Sequence, residues 1–132
     1  MPRQTRQEAL QNALARLHQL RPAIKLSVIA NIDGLLVAAY PLRTSNDGSQ
    51  EALAAMTAVI LALAEQSLGR MQQGEPQRVI LEGVDGVALV QQCTVDSSIT
   101  VLADRNEKMG VLSQAVRRTA LEIRDILNIR DF

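Results

Sequence analysis

His18 and Cys93 are the chain's one histidine and one cysteine, so a nucleophile–base pair would have to be built from them. That chemistry needs the base beside the thiol and a third group to orient it, and the sequence supplies no sign of either. His18 follows Leu17 on an amphipathic segment and points toward its surface. Cys93 sits in a strand-like run, where it reads as a small buried hydrophobe, and a single cysteine excludes an internal disulfide. No group of His, Cys and carboxylates has metal-ligand spacing. Neither G-x-x-x-x-G-K-[ST] nor G-x-G-x-x-G occurs. LEGVDG, residues 81–86, carries two glycines, but it lies inside a hairpin pattern and does not open a helix, so it is not a phosphate cradle. Asp33 and Asp85 are accounted for by turns. The chain reads as non-enzymatic, with no cofactor and no metal.

Composition narrows the partners. Across 132 residues the formal net charge is zero, which gives no electrostatic case for nucleic acid or an acidic membrane surface. With one Phe, one Tyr and no Trp, stacking platforms for bases or sugars are nearly absent, and the core must be built from Leu, Ile, Val and Ala. A chain of this size buries roughly two-thirds of its unfolded surface as one domain. We read residues 1–132 as that domain, with a core over about 5–128.

The elements follow from periodicity and punctuation. Thr5 and Glu8 have capping-box spacing, and Leu10, Ala13, Leu14, Leu17 and Leu20 continue as a helical stripe that Pro22 ends. AIKLSVIAN and LLVAAY flank Asp33-Gly34, a hairpin signal in which both residues tolerate a type I′ turn. Pro41 stops the second strand, PLRTSNDGSQ is a polar loop, and a long helix follows over residues 51–71. Gly74 and Pro76 mark its stop. RVILEG and VALVQQC flank Asp85-Gly86, and a turn around Asp96 leads into SITVLAD. Asp104 and Glu107 can start the last helix, with Leu112, Val116, Ala120, Ile123 and Leu127 inward and Arg117, Arg118, Glu122 and Asp125 mostly outward. The order is α-β-β-α-β-β-β-α. Apart from IKLS, the strands are apolar on both faces, so the sheet is predicted to be covered on both sides. The result is a three-layer α+β sandwich: the long helix on one face of a five-stranded antiparallel sheet, the other two helices on the opposite face.

The long helix poses the functional question. Between residues 52 and 64, Thr57 is its one polar interruption, and a helix that is apolar all round needs cover on more than one side. A membrane is rejected on length, because the run is closed by Glu51 and Glu65. MPRQTRQEALQ lacks a signal-peptide core, so a soluble, cytoplasmic chain is expected. At 100° per residue, Leu53, Met56, Ile60, Leu63 and Met71 share the side expected to lie on the sheet. Roughly opposite are Ala55, Ala58, Ala62 and Gly69, with Glu65 among them. A solvent face should be rich in Lys and Glu, and this one is small instead. A second copy offering the same face is the simplest cover, and a homodimer is predicted.

These pieces, taken in order, resemble a bacterial roadblock domain, a dynein-light-chain-like family related to longin and profilin folds. The resemblance is carried by the amphipathic first helix, SVIANIDGLLVAAYP, the Ala-rich helix, RVILEGVDGVALV and VLADRNEKMGVLSQAVRR. It extends over about residues 5–128. The chain departs from the family at Arg21-Pro22-Ala23-Ile24, where a Pro-Gly-Val-like turn is frequent.

The resemblance implies the rest. Family members form dimers in which the long helices pair and third strands join into one sheet; here that places Ala55, Ala58, Ala62 and Gly69, and the strand residues Val79, Ile80 and Leu81, at the dimer interface. They are non-enzymatic and act on small Ras-like GTPases. The expected function is a homodimeric regulator of such a GTPase, bound preferentially in its GTP form through Glu65, Gln66 and Arg70. Arg70, Arg105, Arg117 and Arg118 are candidates for an arginine supplied in trans, and solvated helix-face charge is the favoured explanation of them. The alternative is a dimeric adaptor that tethers partners without changing nucleotide turnover. Small-molecule sensing would need a pocket with convergent polar groups, of which the apolar strands give no sign.

Overall fold

The structure, a computed structural model, describes residues 4–42 and 48–129. The elements run α1 (Arg6–Leu20), β1 (Ile24–Asn31), β2 (Leu36–Tyr40), α2 (Ser49–Arg70), β3 (Arg78–Glu82), β4 (Gly86–Thr94), β5 (Ser97–Asp104) and α3 (Met109–Asn128). The expected order holds. Part of the polar loop read over 41–50 and the ends of the chain fall outside the described residues.

The capping box is made as its spacing requires: the Glu8 backbone N–H donates to Thr5 Oγ1 at 3.0 Å and the Thr5 N–H to Glu8 Oε2 at 3.4 Å. The sheet has the order β2-β1-β5-β4-β3, antiparallel throughout. The crossover α2 therefore carries the chain from one edge strand, β2, to the other, β3. Most of the core lies between the sheet and the α1–α3 pair, where Leu10, Leu14, Leu17, Ile29, Leu112 and Ile123 are fully enclosed. The opposite cluster is thin: Leu26, Val28, Ala30, Ala39 and Ala54. Thr57 fastens α2 there, its Oγ1 lying 2.9 Å from the Leu53 carbonyl and 2.6 Å from Thr100 Oγ1.

Several local expectations are corrected. Asp33-Gly34 does not form a type I′ turn, since Gly34 has φ +81° while Asp33 has none of the positive φ that turn requires. Instead Asn31 Oδ1 accepts from the backbone N–H of Asp33 and of Leu35, both at 3.0 Å, and shapes a longer loop. Asp85-Gly86 likewise lacks positive φ; the Gly83 N–H reaches the Gly86 carbonyl at 2.8 Å. At the end of α2 the left-handed position is taken by Gln72, φ 60°. The Gln72 and Gln73 N–H groups then bond the carbonyls of Gly69 and Leu68, a Schellman closure that comes before Gly74.

Asp104 and Glu107 do not start α3. Asp104 closes β5 and pairs with Lys25 at 2.9 Å, Glu107 is 5% exposed against Arg21, and Lys108 is the N-cap.

Nor is the sheet covered evenly. All five residues of β3 are exposed or half-buried.

The rejection of a membrane on length is also overturned. The helix runs for 22 residues and is long and apolar enough to cross one, since it continues past both bounding glutamates. Its attachment says more: one side is held on the sheet through Ala54 and Thr57, whereas a spanning helix must meet lipid or other spanning segments all round.

Candidate functional site

The side chains with chemical potential are committed elsewhere. His18 Nε2 lies 2.8 Å from Oγ of the fully buried Ser27, and its ring meets Tyr40 edge-on at 4.6 Å. Burial lowers its pKa below 6.5. Cys93 is buried against the Gln91 carbonyl, and burial pushes its thiol up to about 12. A thiol held protonated is a poor nucleophile.

The His18 shift has a testable consequence. Its imidazolium is disfavoured in the folded state, so the folded pKa lies below the unfolded one. The unfolded chain then binds the proton first, and stability falls as pH drops through 6.5 toward the folded value. Thermal melts at pH 7.5 and 5.5 should show a larger loss for the native protein than for His18→Gln. Equal losses would remove this role.

The surface that stands out is the outward side of α2. The side turned to the sheet carries Ala54 and Thr57, both buried, with Ala58 and Leu61 half-buried. The expectation that Met56, Leu63 and Met71 lie on the sheet is therefore corrected: they are 56%, 62% and 65% exposed, and Val59 is 66% exposed. The reason is room. The Cα of Ala55 and the Cβ of Ala58 come within 3.2 and 3.3 Å of where a Gly34 Cβ would stand, so the helix sits too close to the β1–β2 loop for large residues between them.

The predicted site residues divide accordingly. Ala55, Ala62 and Gly69 are exposed on the outward side. Ala58 instead packs toward Gly34 of its own chain. Glu65, Gln66 and Arg70 are all exposed, but not on a separate face. At 3.6 residues per turn, Ala55, Val59, Ala62 and Gln66 form one ridge, Arg70 lies close to its continuation, and Glu65 turns aside toward β4–β5. The residues missed by the sequence reading as surface were Met56, Val59 and Leu63. Thr57 was the available signal, because a lone hydroxyl in an apolar run seeks a buried partner and marks the inner side.

The edge strand adds a second unpartnered surface. β3 pairs with β4 from Arg78↔Gln91 to Glu82↔Val87, and no other described strand pairs with it. Val79 is half-buried, while Ile80 and Leu81 are 37% and 46% exposed. An exposed apolar helix face and an apolar free edge on one small chain are features of a protein–protein contact surface. Of the arginines considered for action in trans, Arg105 donates to the Val84 carbonyl at 3.2 Å, while Arg70, Arg117 and Arg118 face solvent.

Comparison with known proteins agrees with this architecture. Residues 10–103 match the Roadblock/LC7 domain, and the chain belongs to that family. A Roadblock/LC7 domain from Streptomyces avermitilis superposes with a TM-score of 0.82 at 21% identity, over 90% of this chain and 98% of that one. MglB of Myxococcus xanthus superposes with a TM-score of 0.78 at 16% identity, over 89% and 94%. The gliding protein MglB of Thermus thermophilus gives 0.81 at 13%, over 96% and 93%. No curated protein matches. Family membership makes the chain a regulatory or adaptor domain in general terms.

Proposed function

We propose that this chain is a homodimeric regulator of a small Ras-like GTPase, acting by protein–protein contact in the cytoplasm, without membrane insertion or nucleic acid. Family membership supports a GTPase-related regulator in general. The observation that carries the dimer is the uncovered outward side of α2, with Met56, Val59 and Leu63 each more than half exposed. A twin helix across a two-fold axis would cover Ala55, Ala62 and Gly69, and β3 strands joined through Val79, Ile80 and Leu81 would remove the open edge. One similar structure is described as MglB in a tetrameric arrangement, so in that protein the fold self-associates.

The GTPase is assigned to the polar end of α2, at Glu65, Gln66 and Arg70. A two-fold surface presents these residues twice, and one compact GTPase lying across the axis would block its symmetry mate. One GTPase per dimer is expected, favoured in the GTP form, whose ordered switch loops offer a defined face. Regulation would come from ordering those loops and the water-positioning residue.

Charge reversal by Glu65→Lys with Arg70→Glu should weaken GTPase binding at least tenfold while the fold is kept. Calorimetry with GDP- and GTP-loaded protein reads the affinity, and light scattering checks the dimer, because Arg70 lies close to the outward ridge. Equal affinity for the two nucleotide forms would remove the regulatory reading, and unchanged binding by the double variant would move the contact elsewhere. A hydrolysis assay in which turnover does not change would leave the adaptor.

A further inference from the structure

Between the second half of α2 and the β4–β5 turn lies a cavity of about 430 Å³. It contradicts the expectation that the strands offer no pocket with convergent polar groups, and it goes beyond the proposed GTPase contact. Leu61, Ala58 and Pro76 give it an apolar wall, with Ile32 and Val95 at the rim. The floor is polar: Gln92 and Ser98, cross-strand neighbours in the β4–β5 register. Ser98 is 3% exposed and lines the cavity, yet its hydroxyl meets no hydrogen-bond partner among the described residues. Ser98 Oγ is not one of the enclosed atoms without a partner, so the hydroxyl is open to the cavity, and that is where a partner would stand.

Charge defines that partner further. Glu65, Glu75 and Asp96 line the same cavity, and no Lys or Arg does. The ion pairs formed by the described residues involve none of these carboxylates. The cleft is also braced, since the Ile32 N–H donates to the Asp96 carbonyl at 2.7 Å and ties the β1–β2 loop to the β4–β5 turn. A site with three unpaired carboxylates, an open hydroxyl and amide on its floor, and an apolar wall matches an organic cation on a short hydrocarbon stem. The carboxylates take the charge, the floor takes N–H donors, and Leu61 and Pro76 take the carbons.

We propose that this cavity binds an ammonium or guanidinium group carried on an apolar stem of a few carbons. The same chemistry is offered by a free alkyl amine or by a lysine or arginine side chain of a protein partner, and two probes separate them. In amide-resolved NMR titrations of the full chain, butylguanidinium stands for the free cation and acetyl-Gly-Arg-Gly-amide for the side chain; pentan-1-ol is the neutral control. Saturable shifts confined to Gln92, Asp96, Ser97 and Ser98, with either cation and not with the alcohol, support the site, and the tighter probe names its source. Asp96→Asn with Glu75→Gln should weaken the better cation about tenfold, as should Ser98→Ala to a lesser degree. The variants leave unchanged Ala62 and Glu65, the cavity residues shared with the proposed dimer and GTPase contacts, so dimerisation and GTPase binding are read separately and their failure is distinguishable from failure here. Absence of saturation by both cations, equal shifts with pentan-1-ol, or unchanged affinity in the double variant with an unaltered melting temperature would overturn the proposal.

Discussion

Ala62→Arg should convert the dimer to protomers at micromolar concentration while leaving each protomer folded. Ala62 is exposed on the outward side of α2, one turn from Val59, which is 66% exposed. In the isolated protomer Ala62 is exposed at the rim of the cavity between α2 and the β4–β5 turn, so an arginine there has room and leaves the fold intact. In the paired state it sits beside its own symmetry mate, with two guanidinium groups and no designed counter-ion between them. Leaving a charge uncompensated in an interface costs about 3–5 kcal/mol, which weakens association by about two to four orders of magnitude. Light scattering on the native and variant proteins reads the change directly, and circular dichroism confirms the fold. A variant that remains dimeric would place the two-fold contact away from this ridge. Ala58→Arg is expected to behave differently and lower protomer stability, because Ala58 Cβ faces Gly34 of its own chain.

The contrast between those alanines shows where periodicity stops being informative. The stripe on α3 was legible because its polar and apolar sides differ in character: Leu112, Val116, Ala120 and Ile123 are buried while Arg117 and Arg118 are exposed. On α2 both sides are apolar, so the pattern established that two surfaces need cover but not which surface is which. Size then misled. Leu53 does pack on the sheet-side cluster, but Met56, Leu63 and Met71, assigned there with it, are exposed, because a helix that rests on a loop at Gly34 needs small residues there. The edge position of β3 follows from strand order, which depends on long-range pairing that residues 78–82 do not encode. The cavity at Ser98 was invisible for a related reason. Its walls come from α2, the segment after it and two hairpin ends, and no stretch of sequence contains more than part of it. Turns were legible in place and not in type, since Asn31 supplies the side-chain acceptor that replaces a type I′ geometry at Asp33-Gly34.

Gly34 is where the closeness of α2 can be measured. Its φ of +81° is a conformation that side chains with a Cβ adopt at a cost of about 1–2 kcal/mol, more for a β-branched residue. A Cβ there would also stand 3.2 Å from the Ala55 Cα and 3.3 Å from the Ala58 Cβ, atoms of a helix backbone and a methyl group that cannot swing away. Gly34→Val therefore combines backbone strain with overpacking, the latter worth about 1–3 kcal/mol, and should destabilise the protomer by about 2–5 kcal/mol in total. Gly74 provides the control, because it has a similar φ of +87° with nothing within 4 Å of its Cβ position, so Gly74→Val carries the strain alone. Urea unfolding of both variants under conditions that keep the protein monomeric separates the two contributions: equal slopes with a larger midpoint loss for Gly34→Val isolate the contact with α2. In the GTPase assay the same variant should also lose binding, since α2 carries Glu65, Gln66 and Arg70 and is displaced from the loop that sets its height over the sheet. Equal destabilisation at the two glycines would mean that α2 yields without cost, and its small inner side would then need another explanation.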